Sequence, residues 1–389
     1  MADEWKHIPL GDFVTLQRGH DLPDERRRFG RVPVLGSFGI TGWHDTAKAR
    51  GPGVTVGRSG ASFGVVSYSS CDYWPLNTAL YVIDFHGNDE RFAYYLLRNF
   101  DFKSYNSGSA QPSLNRNFIH PVLVDVPSIV EQRAIARILG TLDDKIELNR
   151  RMSETLEAMA RTLFKSWFVD FDPVRAKMEG RDPGLPKEIA DLFPSRMVES
   201  EIGEIPEGWV IQKLGDLLEL AYGRALRAES RRLGAIPVYG SRGQVGWHDE
   251  RLVEGPGIVV GRKGNPGVVT WVPKDFFPID TTFFVIPKLN PSWIEFFYFA
   301  LMGHDLASLG ADSAVPGLNR NLAYMNDQVV PPEPLVKRFE RVAGGLLNRA
   351  HSLAGETATI VGLRDTLLPK LMTGQLRVVN AERTVDDEQ

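Results

Sequence analysis

The sequence repeats itself at an offset of 204 residues, and this constrains its fold more than any other feature. Gly36-Ser37-Phe38-Gly39-Ile40-Thr41-Gly42-Trp43-His44-Asp45 returns as Gly240-Ser241-Arg242-Gly243-Gln244-Val245-Gly246-Trp247-His248-Asp249. Gly51-Pro52-Gly53 returns as Gly255-Pro256-Gly257, and Gly57-Arg58-Ser59-Gly60 as Gly261-Arg262-Lys263-Gly264. Aligned without gaps, 36–60 and 240–264 share 14 of 25 positions. Such agreement marks a duplication. A duplicated module implies a pseudo-symmetric molecule, and pseudo-symmetry suggests a ligand that also comes in two halves.

Between the repeated blocks the hydrophobic period changes. Residues 8–125 carry short β-branched and aromatic runs broken by glycine: Val54-Thr55-Val56, Val65-Val66-Ser67-Tyr68 and Ala79-Leu80-Tyr81-Val82-Ile83. These predict short strands and turns, with one helix around Arg91–Phe100. From Glu131 to about Phe168 there is no proline, and Ile135, Leu139, Leu142, Ile146, Met152, Leu156, Met159, Leu163 and Trp167 recur at steps mostly of three and four. That is one continuous helical seam, interrupted by Asn149, a polar residue of the kind that sets register. Pro173 is expected to end it. Pro183, Pro186, Pro194 and Pro206 then punctuate a turn-rich connector.

Trp209 restarts the first pattern, with strands expected at 258–260, 268–271 and 283–286. A second seam follows through Phe339, Leu346, Ala350, Leu353, Ile360, Leu363, Leu367 and Leu371, with Gly374 placed to cap it. The fold class is therefore α+β: two pseudo-symmetric globular α/β domains separated by two long antiparallel, coiled-coil-like helices. Two helices with single seams bury them most simply on each other, which would leave the globular domains at opposite ends of a helical spacer. The run Leu163-Phe164-Lys165-Ser166-Trp167-Phe168 is too aromatic for a helix pair alone and calls for a further packing surface.

Composition narrows the function. With 389 residues and about 150 per domain, two or three domains are expected. One cysteine, Cys71, excludes a disulfide framework and a multi-cysteine zinc site. The polar start carries no signal-peptide pattern, and no run reaches the roughly 18 apolar residues of a membrane helix, so a cytoplasmic chain with no membrane association is expected. A net charge of −4 argues against a non-specific nucleic-acid coat, though not against a reader with its basic residues on a few loops.

Catalytic signatures are sparse. Gly60-Ala61-Ser62-Phe63-Gly64 and Gly264-Asn265-Pro266-Gly267 lack the lysine and hydroxyl of a phosphate-binding loop. His44 and His248 each precede an aspartate, but a metal needs three or four ligands, so a polar turn after a packed Trp43 or Trp247 is the plainer reading. The Gly-Arg-x-Gly loops say more. Glycines let the backbone approach a ligand, and an arginine among them grips phosphate or forks onto guanine; for a single copy a tight turn would be the simpler account.

A second repeated cluster runs Ser109-Ala110-Gln111-Pro112-Ser113-Leu114-Asn115-Arg116-Asn117, matched by Ser313-Ala314-Val315-Pro316-Gly317-Leu318-Asn319-Arg320-Asn321. Asn and Arg pair with adenine and guanine edges and with phosphates, while asparagines also cap turns. Arg26-Arg27-Arg28 and Arg231-Arg232 are either solvated faces or extra backbone contacts.

At these residues the chain resembles the specificity subunit of a type I restriction–modification system. Pro127-Ser128-Ile129-Val130-Glu131-Gln132-Arg133 is similar to the start of that family's first spacer helix. The segment from Leu163 to Pro173 is similar to its central region, and Gly203-Glu204-Ile205-Pro206-Glu207-Gly208-Trp209 to the start of its second recognition domain. Leu363-Arg364-Asp365-Thr366-Leu367-Leu368-Pro369-Lys370-Leu371-Met372-Thr373-Gly374-Gln375-Leu376 is similar to its C-terminal region.

The resemblance implies target recognition domains at 1–128 and 201–335. It implies spacer helices at 129–172 and 336–378; the proline-punctuated segment 173–200 is expected to be a linker, and the polar tail 379–389 to be disordered. It also implies a non-catalytic subunit reading the two halves of a split double-stranded DNA target. Such a subunit bridges two methyltransferase subunits that carry S-adenosylmethionine, while it binds no cofactor itself, and the larger complex adds restriction and translocase subunits. One departure stands out: the second helix has Val336-Lys337-Arg338 near the place of the first helix's Glu-Gln, so partner contacts are expected to differ between the halves.

The DNA-contacting candidates are Ser37, Phe38, Arg58, Ser59, Gln111, Asn115 and Arg116 in the first half. In the second they are Ser241, Arg242, Gln244, Arg262, Lys263, Asn265, Asn319 and Arg320. Positions that differ between copies are expected to separate the half-sites: Phe38 against Arg242, Ile40 against Gln244, Ser59 against Lys263, and Gln111 against Val315. Two rivals remain: a duplicated hydrolase-like enzyme centred on the Trp-His-Asp turns, and an adaptor scaffold that binds no DNA.

Overall fold

The computed structural model describes residues 5–108, 112–288, 290, 293–310 and 317–378. Gln111, Val315 and the polar tail from 379 lie outside these residues. The chain divides into two units, residues 1–148 with 356–389, and residues 149–355.

In the first unit, β1 (Lys6–Pro9) and α1 (Leu10–Phe13) lead into β2 (Thr15–Arg18), β3 (Val32–Gly36), β4 (Gly39–His44), β5 (Gly53–Gly57), β6 (Val66–Ser69), β7 (Trp74–Pro75) and β8 (Ala79–Asp84). Then come α2 (Glu90–Asn99), α3 (Arg116–Ile119) and β9 (Leu123–Val126). One sheet has the order β2-β8-β5-β6 and another β4-β3-β7, while β1 pairs with β9. The Val-Thr-Val run of β5 is buried on both faces, as a strand inside a packed layer must be. Gly57 closes that strand because nothing larger fits: an added Cβ would stand 2.1 Å from Ser62 O and 2.3 Å from Ser37 O.

The helix expected from 131 is α4 (Ile129–Phe168), 40 residues or about 60 Å long. Pro173 does not end it. The chain turns at Phe171, with φ of 56°, and Pro173 sits in the first turn of α5 (Asp172–Met178), where its missing N–H leaves no helical bond unmade. The connector is correspondingly more ordered than expected. It holds α5, α6 (Lys187–Ala190) and the hairpin β10 (Met197–Ser200) with β11 (Gly203–Pro206), and it buries Val174, Ala190 and Phe193.

The second unit rebuilds the first. Its elements are β12 (Val210–Lys213), α7 (Leu214–Leu217), β13 (Leu218–Tyr222), β14 (Ile236–Gly240), β15 (Gly243–His248), β16 (Gly257–Gly261), β17 (Val269–Val272), β18 (Phe277–Pro278), β19 (Thr282–Pro287), α8 (Ile294–Gly303), α9 (Arg320–Tyr324), β20 (Asp327–Val330) and α10 (Glu333–Met372). The sheets run β13-β19-β16-β17 and β15-β14-β18, with β12 on β20. The helix α10 also has 40 residues, and Gly374 follows it at φ +69°.

The two long helices pair antiparallel within each unit. In the first, Arg364 donates to Asp143 (2.8 Å) and Lys145 meets Glu356 (3.2 Å). In the second, Ser153 donates to the Ala350 carbonyl (3.2 Å), and the rings of Phe164 and Phe339 lie 5.7 Å apart. Each unit's core takes the start of one helix and the end of the other. Ile135 and Leu139 pack with Leu368, Leu371 and Met372 in the first; Leu335 and Phe339 pack with Phe164, Trp167 and Phe168 in the second. The aromatic run at 163–168 thus finds its further packing surface in the connector, against Phe193, and in the second globular domain, against Trp209, Phe296 and Phe299.

Two details of the helices differ from the sequence reading. Met152 and Met159 are exposed, and the buried line in this stretch runs through Asn149 and Ala160. Steps of three and four fit several neighbouring faces equally well, and a straight helix drifts from any fixed repeat. Glu131 and Gln132 point inward and bond within their own unit. Glu131 accepts from Trp5 Nε1 and from Arg377, both at 3.1 Å. Gln132 bonds the Asp89 N–H, Asn88 Oδ1 and the Pro127 carbonyl. At the matching places the second unit buries Leu335 and Val336.

Candidate nucleic-acid interface

Three segments that the sequence keeps apart meet at one edge of the four-stranded sheet in each unit. The Gly-Arg-x-Gly loop leaves β5 beside the β3–β4 hairpin tip at Ser37, and Ser59 forms a bridge with Ser113. The Arg58 N–H donates to the Thr78 carbonyl (2.9 Å), and the Arg58 carbonyl accepts from Leu114 N–H (2.8 Å). The second unit has the same ties: Arg262 N–H to the Thr281 carbonyl (2.9 Å), Leu318 N–H to the Arg262 carbonyl (2.8 Å), and a bridge from Lys263 to Gly317.

The four arginines are held alike. One Nη1 of each donates to a main-chain carbonyl: Arg58 to Asn77 (3.1 Å), Arg116 to Leu16 (3.0 Å), Arg262 to Asp280 (3.1 Å) and Arg320 to Leu220 (3.4 Å). A guanidinium fixed through one nitrogen keeps a rigid fork of further donors. In the first unit Arg58 and Arg116, with Arg18, Asn115, Ser107 and Ser113, line a cleft of about 370 Å³, and no carboxylate is among its lining residues.

Behind these arginines the support differs between units. The Leu16 N–H donates to His120 Nε2 (3.1 Å), whereas the Leu220 N–H donates to the Tyr324 hydroxyl (2.9 Å). Burial, and secondarily Arg116, hold the His120 imidazole below its ordinary value, so it acts as a neutral acceptor.

The other candidates fall in several places. Asn115 and Asn319 cap α3 and α9, each side chain accepting from the N–H two residues on (3.0 Å), so that oxygen is committed to the turn. Phe38 is exposed at the hairpin tip, and Ser37 and Ser241 are half-buried at the base of their tips. Asn265, with its amide oxygen turned to Arg242 Nε, accepts at 2.8 Å, which joins the second hairpin tip to its loop. Gln244 stands apart from the arginines. It lines a separate cavity of about 720 Å³ with Trp247, Tyr239, Lys274 and His351.

The Trp-His-Asp turns invert the sequence reading: the tryptophans are about half exposed, Trp43 at 52% and Trp247 at 54%, while the histidines are buried. His44 Nδ1 accepts from Arg28 N–H (3.0 Å) and His248 Nδ1 from Arg232 N–H (3.1 Å), so neither imidazole is presented for catalysis. The reason is strand alternation: in β4 and β15 the histidine faces the core, against Trp74 and Phe277, and the preceding tryptophan faces out.

Four arginines of the basic runs, Arg27, Arg28, Arg231 and Arg232, are also committed. Arg28 and Arg232 donate to Asp45 and Asp249 (2.6 Å each), and the Arg28 guanidinium holds the Asp45 carboxyl down at about 2. Arg27 and Arg231 donate to the carbonyls of Thr41 and Val245. Among the described residues no cluster of His, Cys, Asp and Glu would hold a metal ion, and no helix is long and apolar enough to cross a membrane.

Sequence reasoning missed Arg18, Tyr222, His120 and Tyr324. All four fall outside the strongly matching window, and only comparison at the 204-residue offset across the whole chain would have paired them.

Known proteins resemble this chain along most of its length. Residues 2–158 match the family model of the type I restriction modification DNA specificity domain. The HindI type I restriction enzyme specificity subunit of Haemophilus influenzae is 25% identical over 330 residues, covering 68% of this chain and 71% of that protein. The MjaIX specificity subunit of Methanocaldococcus jannaschii is 24% identical over 325 residues, covering 76% and 71%. Among solved structures, the type I system S subunit from M. genitalium superposes with a TM-score of 0.67 at 18% identity, covering 95% of this chain and 96% of that one. That likeness speaks to the fold.

Proposed function

This chain belongs to the type I restriction–modification specificity-subunit family, and from that premise we propose that it reads a split double-stranded DNA target, one half with each unit. The observation that carries the reading is the recurrence of one construction: a Gly-Arg-x-Gly loop, a hairpin tip and an Asn-Arg turn, brought together twice around tethered arginines. A basic cleft with its forks fixed in place suits base edges and phosphates of DNA. Repetition in two units linked by paired 40-residue helices suits a target with two parts and a set gap.

In this reading the chain performs no chemistry. It acts in the cytoplasm within a type I complex, docking two methyltransferase subunits that carry S-adenosylmethionine and joining restriction and translocase subunits in the full assembly. Its modest net charge fits a reader that shares the DNA with partners.

The test is DNA binding and methylation by the assembled complex carrying Arg58→Ala or Arg262→Ala. Both arginines lie on loops; Arg262 stands over the rings of Tyr222 and the core residue Phe283 at 4.8 and 5.9 Å, so the folding of that variant is checked by its melting temperature alongside binding. Each substitution should cost about 1–3 kcal/mol in binding if the lost contact is to a base. Unchanged affinity and methylation in both variants would overturn the proposal.

A further inference from the structure

We infer that position 18, equivalent to position 222 in the repeat, is where the two units read different chemistry: Arg18 forks onto a guanine edge in the first half-site, while Tyr222 braces two arginines in the second. The inference rests on the DNA-reading function proposed above. Arg18 is the last residue of β2, opposite Leu80 of β8; Tyr222 is the last of β13, opposite Phe283 of β19. The two positions are thus equivalent in register as well as in sequence offset.

What surrounds them differs. Arg18 is exposed and lines the cleft together with Arg58 and Arg116, so three arginines share one cleft. In the second unit the tyrosine ring takes that place. The Arg262 guanidinium stands 4.8 Å and the Arg320 guanidinium 4.6 Å from the ring centroid, and Phe283 packs against the ring at 5.0 Å. Tyr222 spends its aromatic face on holding those forks still.

The acidic neighbour decides between base and phosphate for Arg18. Asp21 lies 4.0 Å from Arg18 and also accepts from the Asn77 side-chain amide, while the Asn77 main-chain carbonyl tethers Arg58. The repeat has Ala225 in place of Asp21. A carboxylate beside a cation opposes the approach of a phosphate, but it orients a guanidinium that must present its fork to a base edge. Three arginines with one aligning aspartate therefore suit a guanine-containing half-site, read through O6 and N7.

The experiment uses the complex assembled with its methyltransferase subunits and a target whose half-sites are substituted base by base. The variants are Arg18→Tyr, which copies the repeat, and Arg18→Lys, which keeps the charge but loses the fork. The expected result is a roughly 5- to 150-fold loss of discrimination at one guanine of one half-site in both variants. The other half-site and the salt dependence of binding should not change. A uniform loss across all sequences in Arg18→Tyr, with the salt slope reduced by about 0.9 and rescue by lysine, would overturn the inference in favour of a phosphate contact. So would unchanged discrimination in both variants. Arg58→Ala is measured alongside. If it alters DNA binding while Arg18 does not, only this inference falls; if neither matters, the DNA-reading function falls with it.

Discussion

Gln132→Met should loosen the grip of the first long helix on its own globular domain. The amide is buried within the first turn of α4. It donates to Asn88 Oδ1 (2.9 Å) and to the Pro127 carbonyl (3.0 Å), and it accepts from the Asp89 N–H (3.0 Å). Asp89 is itself the cap of α2, accepting from Phe92 N–H (2.8 Å), so one side chain fastens the starts of two helices together. Methionine keeps the volume, which removes any cavity contribution and isolates the polar one. A buried group left without its partner costs about 1–3 kcal/mol. Three are orphaned here, and Asp89 is only partly buried and regains some hydration, so the expected loss is about 2–4 kcal/mol.

Urea denaturation reads this directly. With a slope of about 2 kcal/mol per molar, the midpoint for the first unit should fall by roughly 1–2 M at unchanged slope. The Asp89 amide should exchange with solvent faster in proportion. A midpoint shift corresponding to less than about 1 kcal/mol, or an Asp89 amide as protected as before, would refute the reasoning, because the bonds would then not be holding the junction.

Other perturbations test neighbouring claims. His120 has its folded value held below the ordinary one by burial, so the stability its neutral form supports is present above about pH 6.5 and fades as pH falls through the folded value; His120→Tyr, copying Tyr324, should remove that slope, as followed by melting between pH 5 and 8. Glu340 accepts from the Glu295 and Phe296 N–H groups at the start of α8, and burial and then the Glu295 carboxyl push its own carboxyl up. Its contribution is present at low pH and is lost as pH rises towards the folded value. Glu340→Gln should therefore flatten the decline in melting temperature between pH 5 and 9, and an identical decline would contradict this account. Asn149 is wholly buried with neither amide atom hydrogen-bonded, and its counterpart in the repeat is Leu353. Asn149→Leu should raise stability by about 1–3 kcal/mol, and a lower melting temperature would show that the amide is needed.

The repeat and the alternation of hydrophobic periods made much of the architecture legible. Val54-Thr55-Val56 and Ile258-Val259-Val260 fall inside β5 and β16, and the seams fall inside α4 and α10, because burial on one face or both leaves a periodic trace in a local window. What escaped was decided by partners distant in sequence. Trp43 and His44 are neighbours on one strand, and which of them faces in depends on Trp74. Arg28 reads in sequence as part of a solvated face or a backbone contact, and its bond to Asp45 is made only by the fold. The cleft residues Arg18, Arg58 and Arg116 come from three segments that only the β2-β8-β5 order and the Ser59–Ser113 bridge bring together. Spacing alone places Met152 and Met159 in the seam, but spacing does not say which of two adjacent stripes meets the partner helix, and both are exposed.

Each globular core is finished by the far end of the other repeat's helix: Leu368, Leu371 and Met372 in the first unit, Phe164, Trp167 and Phe168 in the second. A polypeptide cut after the first repeat would keep a core lacking its last layer, and would carry the apolar helix end at Phe164, Trp167 and Phe168 without the residues that cover it. The duplication thus joins in one chain the two helix ends that each core needs. It also frees the two readers to diverge, since residues such as Arg18 and Tyr222 need no longer be the same.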